Sequence, residues 1–466
     1  HYDADGLFDD SSMRRETLRA NLEINVTPWL KIGSNSNLAY TKMQETLKVN
    51  GQSTSIYNKP WAAHAYLPTQ PTREILGLVD SNGNPTTIDG QDIDWANSTF
   101  DGYGDPLKWY GLIAGQGTFN PDFLAKYTRT ISNRVRLNEN AYVNINPIEG
   151  LNIRSAVGLD WNDLRSSYKQ NNLVSEGFGE ELATGDVMED FSRSYRWTVT
   201  NTAEYKFDFL RDHNVTVLLG QESMTVKTEA FGARRMGLTD NRLMLLSSPA
   251  TGDLVTPTQS ISEEVRNSWF GMLNYNYKER YFLDASIRRD GSSLFAENHR
   301  WGTFGAVAAM WNITNENFMQ PTKSWLNDLQ LRVSYGSTGN SGIEPYQALG
   351  LVGATGNMYV NQGGTAIANA GNSDLTWETV KTFNLGLSGR IFDRVDFDFQ
   401  FYNKVTSDML MSIPYSYTTG FASGYGNVAE MRNRGFDFTI SADIIKTKDW
   451  YWNVKLNGNY NSNKIT

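Results

Sequence analysis

The chain has 466 residues, a formal net charge of −9 and no cysteine; this excludes a disulfide framework and a thiolate zinc site and leaves no basic stripe for nucleic acid. Hydrophobic residues make up 39% and the mean hydropathy is −0.48, so no segment approaches the ~18 consecutive apolar residues of a membrane helix. A membrane barrel is untouched by that exclusion, because its strands turn only every second side chain to lipid.

The first elements set the pattern. Leu18, Ala20, Leu22, Ile24 and Val26 alternate with Arg19, Asn21, Glu23 and Asn25, and period two over this length predicts a strand with one oily and one wet side. The alternation returns at Val135, Leu137, Ala141, Val143 and Ile145, at Leu151, Ile153, Val157 and Leu159, and at Phe383, Leu385 and Leu387. Read along the whole chain it predicts about fourteen strands with ends good to a few residues. They fall at 17–27, 30–41, 129–146, 150–161, 192–207, 214–226, 265–277, 281–290, 300–311, 329–337, 377–390, 394–404, 432–444 and 450–463.

Connections sort by parity. Pro28-Trp29, the segment Asn146 to Gly150, Asp208 to His213, Lys278-Glu279-Arg280 and Ile391-Phe392-Asp393 are tight. Between them lie long connections at 42–128, 162–191, 227–264, 338–376 and 405–431, with 291–299 and 312–328 intermediate. Tight turns at one rim and long loops at the other are the habit of an up-and-down membrane barrel. In hydrocarbon an unpaired backbone group costs several kcal/mol, so such a sheet has to close on itself. Aromatic residues near strand ends complete the picture of interfacial belts: Trp29, Tyr40, Tyr142, Trp161, Trp197, Tyr205, Trp269, Tyr277, Tyr281, Trp301, Trp311, Tyr335, Trp377, Trp450 and Trp452. The predicted fold class is therefore all-β, a transmembrane antiparallel up-and-down barrel.

One stretch is more specific. Asn274-Tyr275-Asn276-Tyr277-Lys278-Glu279-Arg280-Tyr281 leads to Ile287-Arg288-Arg289-Asp290-Gly291-Ser292-Ser293 and Arg300-Trp301-Gly302-Thr303-Phe304. Trp325 to Gly336 and Thr338-Gly339-Asn340 follow, then Asn372 to Glu378, and later Asn433-Arg434-Gly435-Phe436-Asp437. In order and spacing this series resembles the SusC/RagA family of TonB-linked outer-membrane transporters, with Phe436 where a Val or Ile is common in the family. The resemblance implies that residues 1–466 are part of a barrel of about 22 strands, with the plug domain, the TonB-contact segment and further C-terminal strands outside this chain. It also implies a SusD-like surface lipoprotein as lid, TonB as energy coupler, and import of an oligosaccharide or, next, a peptide across the outer membrane of a Gram-negative cell. His1 to Asp5 is acidic and polar, unlike a signal peptide, and the last residues read as a strand cut short, so both ends are expected to be internal to a longer protein.

Residues for chemistry are few. Only His1, His64, His213 and His299 are present, without the spacing of a metal site, and no nucleophile elbow is found. No cofactor is expected and no enzyme. Asp80 to Asn84 begins like a calcium loop, but Gly83 is at the fourth position and Gln91 stands where a bidentate Glu is needed, so a polar turn is the reading. Lys278-Glu279-Arg280 reads as a charged rim turn, Asp290-Gly291 as a turn signal, and Arg288, Arg289 and Asp290 as architectural charges near the rim. Within the long connection 42–128, Trp61, Trp95 and Trp109 are the candidates for contact with substrate or lid, against the simpler role of packing in the barrel mouth. Two other function classes compete: a passive porin or surface adhesin on a similar barrel, which would lack plug and TonB-contact segment, and a secreted β-rich glycan-binding protein, which would need no detergent.

Overall fold

The structure, a computed structural model, describes residues 1–6, 11–45, 87–88, 91–92, 128–170, 185–210, 212–240, 242–251, 254–359 and 362–465. Fifteen strands form one antiparallel sheet: β1 Tyr2–Asp5, β2 Ser12–Thr27, β3 Leu30–Glu45, β6 Thr128–Ile145, β7 Leu151–Gln170, β8 Gly185–Phe209, β9 His213–Leu238, β10 Leu254–Tyr277, β11 Tyr281–Ser292, β12 Trp301–Asn312, β13 Leu326–Asn340, β16 Glu378–Ile391, β17 Val395–Ser407, β20 Met431–Lys446 and β21 Tyr451–Ile465. Three small hairpins sit in the connections: β4 Thr87–Ile88 with β5 Gln91–Asp92, β14 Leu351–Tyr359 with β15 Gln362–Asn369, and β18 Leu410–Pro414 with β19 Ser423–Asn427. Each strand of the sheet pairs with its sequence neighbours and none crosses over. The order begins at β1 and stops at β21 without pairing the two, so the sheet is an open section of an up-and-down wall.

Register carries the alternation across the whole wall. The row Ile24, Ile32, Val143 continues through Ser155 and Asn201, while Leu38 faces Leu137, Leu331 faces Leu387, and Leu387 in turn faces Phe399. The apolar row stands open: Leu18 is 67% exposed, Leu219 63% and Ile287 61%. Oily side chains that face outward instead of facing a second sheet are what lipid contact requires and what a soluble sandwich cannot tolerate. No helix among the described residues is long and apolar enough to cross a membrane.

All fourteen expected strands are present, but the expected connections 162–191 and 227–264 are largely strand: β7 runs on to Gln170, β8 starts at Gly185, β9 ends at Leu238 and β10 begins at Leu254. The reason lies on the outer face. Beyond Trp161 and Trp197 the same row of side chains turns from apolar to charged, and it is held by Arg193–Asp163 at 2.7 Å, Arg165–Glu189 at 3.4 Å and Lys227–Glu229 at 2.5 Å. With both faces wet, hydropathy no longer alternates, and the pattern is silent although the ladder continues. Likewise 338–376 and 405–431 contain the hairpins β14–β15 and β18–β19.

Two turns of the tight rim are built without the usual glycines. Lys278 and Glu279 have φ of 55° and 52°, Phe392 and Asp393 of 54° and 55°, and Arg280 N donates to Tyr277 O as Arg394 N does to Ile391 O. Paired positive φ values closed by such a bond are the signature of a type I′ turn, whose twist matches the strands it joins. Asp290-Gly291, read as a turn from sequence, is instead inside β11. Gly291 pairs with Trp301, and a side chain there would meet the indole ring.

Candidate functional site

The face opposite the oily one is the wall of the lumen, and it is rich in amides, hydroxyls and charges, several of them paired. Asn21, Asn35 and Asn140 form one row across β2, β3 and β6, and Arg19, Asn37, Asn138 and Asp160 the next. Together they border a recess of about 380 Å³. Lower on this wall Tyr142 donates to Glu23 at 2.8 Å, Lys31 bridges the same carboxylate at 3.0 Å, and Arg154 stacks on the Tyr142 ring at 3.9 Å. Gly33 makes room for that ring.

Further along, Arg288 joins Asp290 at 2.6 Å and Glu222 at 3.1 Å, and Thr200 donates to Glu222 at 3.2 Å. Arg332 pairs with Asp398, and Asn274 donates to Asp284 at 2.5 Å. Several of the lumen's charges are therefore neutralised in place, while its amides remain available as donors and acceptors.

At the rim away from the tight turns the connections fold over one another. Leu294, Phe295, Phe304, Ile343, Ala348, Leu375 and Trp377 form a buried apolar cluster, with Leu410 and Tyr425 packed against it. Trp377 lies 5.3 Å from Phe295 and 5.6 Å from Phe304, and its indole N–H donates to Arg300 O at 3.1 Å. Asn427 bonds both the N–H and the C=O of Thr376 at 2.8 Å, and Asn372 donates to Tyr425 O at 3.0 Å. Ser293 exchanges bonds with Val265 at 2.9 Å. The segment Asp290 to Ser293 thus ties β11 to β10 just below this cluster. Trp377, expected in an interfacial belt, belongs to this packed mouth, and Tyr142 belongs to the lumen. Both were misplaced because a strand-end position does not specify a face.

The tight-turn rim carries an aromatic girdle. Tyr205, Phe207, Phe209, His213, Tyr277, Tyr281 and Trp311 follow one another with ring centroids 4.5–6.4 Å apart. Tyr281 and Trp311 point their polar tips at Glu316, at 2.5 and 3.2 Å, and Arg280 approaches it at 3.4 Å. The Tyr281 hydroxyl, with help from Trp311 and Arg280 and against the effect of burial, holds the Glu316 carboxyl below its ordinary value. A second aromatic level includes Trp197, Trp269, Trp301 and Tyr335, all exposed on the oily face. From Trp311 to Trp301 is ten residues of β12, about 33 Å along a strand and about 25 Å along the barrel axis at a tilt of ~40°. That is the height of a membrane barrel's apolar band.

Trp61, Trp95 and Trp109 lie outside the described residues, as do Asp80 and Gly83 of the expected polar turn. Among the described residues no group of three or more His, Asp or Glu is placed to hold a metal ion. The pairing of Arg288 with Glu222 and of Tyr281 with Glu316 is not visible in the sequence, since each joins residues far apart in the chain.

Residues 4–466 match the family model "TonB dependent receptor-like, beta-barrel". A TonB-dependent receptor of Formosa agariphila is 29% identical over 475 aligned residues that take in all of this chain and 43% of the relative. The TonB-dependent receptor SusC of Bacteroides thetaiotaomicron is 35% identical over 207 residues, 43% of this chain and 20% of the relative. In three dimensions the chain is similar to a chain of the RagAB peptide transporter, with a TM-score of 0.78 and 31% identity over 98% of this chain and 47% of that one. The chain spans less than half the length of these relatives.

Proposed function

This chain belongs to the TonB-dependent receptor-like β-barrel family and is a section of an outer-membrane barrel, and from that premise we propose that the whole protein actively imports an oligosaccharide. The observation that carries the reading is the lumen wall: rows of uncharged amides beside charges of which several are already paired to one another. A neutral, hydroxyl-rich oligomer exchanges hydrogen bonds with such a surface and needs no free countercharge. A plug outside this chain would close the resting pore, and TonB would supply the energy that displaces it. The connections opposite the tight turns would face the exterior beneath a SusD-like lipoprotein lid. Trp61, Trp95 and Trp109 are kept in this proposal on sequence grounds, as contacts for substrate or lid.

A peptide is the second reading, favoured by the likeness to the RagAB peptide transporter over 98% of the chain. The test is growth of the source bacterium with the full-length gene deleted, on defined oligosaccharides and on defined peptides as sole nutrient. Loss of growth on an oligosaccharide, together with loss of uptake when the proton gradient is collapsed, supports the first reading. Loss on peptides alone supports the second. Uptake that survives collapse of the gradient points to a passive porin and refutes both.

A further inference from the structure

The oily face carries polar interruptions, and one of them borders a recess of defined shape. Across β7 to β11 two neighbouring rows run side by side. The first is Ile153, Ala203, Leu219, Gly271 and Ile287; the second is Ser155, Asn201, Gln221, Trp269 and Arg289. Between the raised side chains of Leu219, Ile287 and Trp269 and the low Ala203 and Gly271 lies an apolar trough of about 650 Å³.

The second row forms a polar edge to this trough. Ser155 donates to Asn201 at 2.8 Å and Asn201 to Gln221 at 3.0 Å. The amide nitrogen of Gln221 has no partner among the described residues. Arg289 is exposed, stacks on Trp301 at 5.4 Å, and has no acidic partner among the described residues. Its neighbour Arg288, on the lumen side, is held by two carboxylates.

Depth makes the arrangement informative. Trp269 and Arg289 each stand eight residues from the tight turn, about 26 Å along a strand and about 20 Å along the axis at a tilt of ~40°. Trp269 and Arg289 therefore lie near the far edge of the apolar band, where lipid headgroups meet their acyl chains. A cation and unspent amide donors at that level are costly against hydrocarbon and favourable against an anionic headgroup.

We propose that this trough binds a phosphorylated, acylated glycolipid of the outer leaflet. Its phosphate sits on Arg289, the polar linkage of one acyl chain on Gln221 and Asn201, and the chain itself in the trough over Ala203 and Gly271. The proposal uses only the membrane location and is independent of what the transporter carries.

The test is native mass spectrometry of the full-length transporter purified from outer membranes, with Arg289→Gln, Arg289→Lys and Gly271→Leu variants. Ordinary contact distances around Gly271 leave room for a side chain on the trough floor. Heat-modifiable migration of each variant verifies folding. We expect retained lipopolysaccharide to fall at least tenfold in Arg289→Gln and Gly271→Leu and to be largely kept in Arg289→Lys. In nanodiscs, lipopolysaccharide should rebind and phosphatidylcholine should not. Equal lipid in all four proteins overturns the proposal. Retention of phosphatidylglycerol in preference to lipopolysaccharide, or of a protein in place of lipid, overturns it as well.

Discussion

Replacing Trp377 with alanine should loosen the mouth and leave the wall standing. Trp377 is 8% exposed, its ring centroid lies 5.3 and 5.6 Å from those of Phe295 and Phe304, and its indole N–H donates to Arg300 O at 3.1 Å. Truncating a buried aromatic side chain costs about 3–5 kcal/mol, and a carbonyl left without its donor adds about 1 kcal/mol. A local loss of about 4–6 kcal/mol raises the opening equilibrium by about three to four powers of ten, at ~1.4 kcal/mol per factor of ten. Hydrogen exchange on the full-length protein in detergent should show that rise in peptides covering 293–300, 341–349 and 370–377. Amides of β11 and β12 should stay as protected as before, because backbone bonds close their ladder and Phe304 is the one cluster residue that β12 contributes. Uniform loss of protection across the sheet would show that the mouth and the wall are one cooperative unit. Unchanged exchange in the three segments would show that the cluster does not hold them. Either result refutes the reasoning.

Three further outcomes are expected. Gly150 has φ of +81°, and a side chain there would run into the Lys206 carbonyl oxygen; Gly150→Ala should lower the yield of heat-modifiable barrel severalfold, read on unheated gels. Glu139 sits midway up the oily face, accepting from Ser34 at 2.5 Å and from Ser36. Charged groups at that depth cost up to about 2–4 kcal/mol, carboxylates less, so Glu139→Leu should stabilise the refolded full-length barrel by on the order of 1 kcal/mol, the lost serine bonds offsetting part of the gain. A lower denaturation midpoint would count against lipid exposure at this position. In the connection after β9, Arg242 bonds hold the Asp240 carboxyl down to about 2 from 3.8. The depressed value means that the contact is fully present above about pH 4 and is lost as pH falls towards 2. Proteolysis of residues 239–251 should rise over that window in the wild type and be insensitive to it in Asp240→Asn.

The wall was legible in the sequence wherever one face is oily and the other wet, because lipid writes a period of two into the residues. Leu18 to Val26 and Val135 to Ile145 are such cases, and the tight turns between them mark the rim. Beyond Trp161 and Trp197 that writing stops: Asp163, Arg165, Glu189 and Arg193 satisfy one another across strands, and no single strand shows the pairing. The mouth was hidden for a related reason. Trp377 is far in sequence from Phe295 and Phe304, and only the folding of the connections onto one another and onto β12 makes them a core. Lumen pairs such as Arg288 with Glu222 follow from register, which hydropathy does not encode.

The strands differ greatly in reach. β9 has 26 residues and β11 has 12, so at about 3.3 Å per residue and ~40° of tilt one side of the wall rises about 65 Å and the other about 30 Å. The top of this section is therefore a ramp, with a parapet at β8 to β10 and a low sill at β11 and β12. Whatever comes down onto it meets a slope, and an approach from the sill side is the shorter way in.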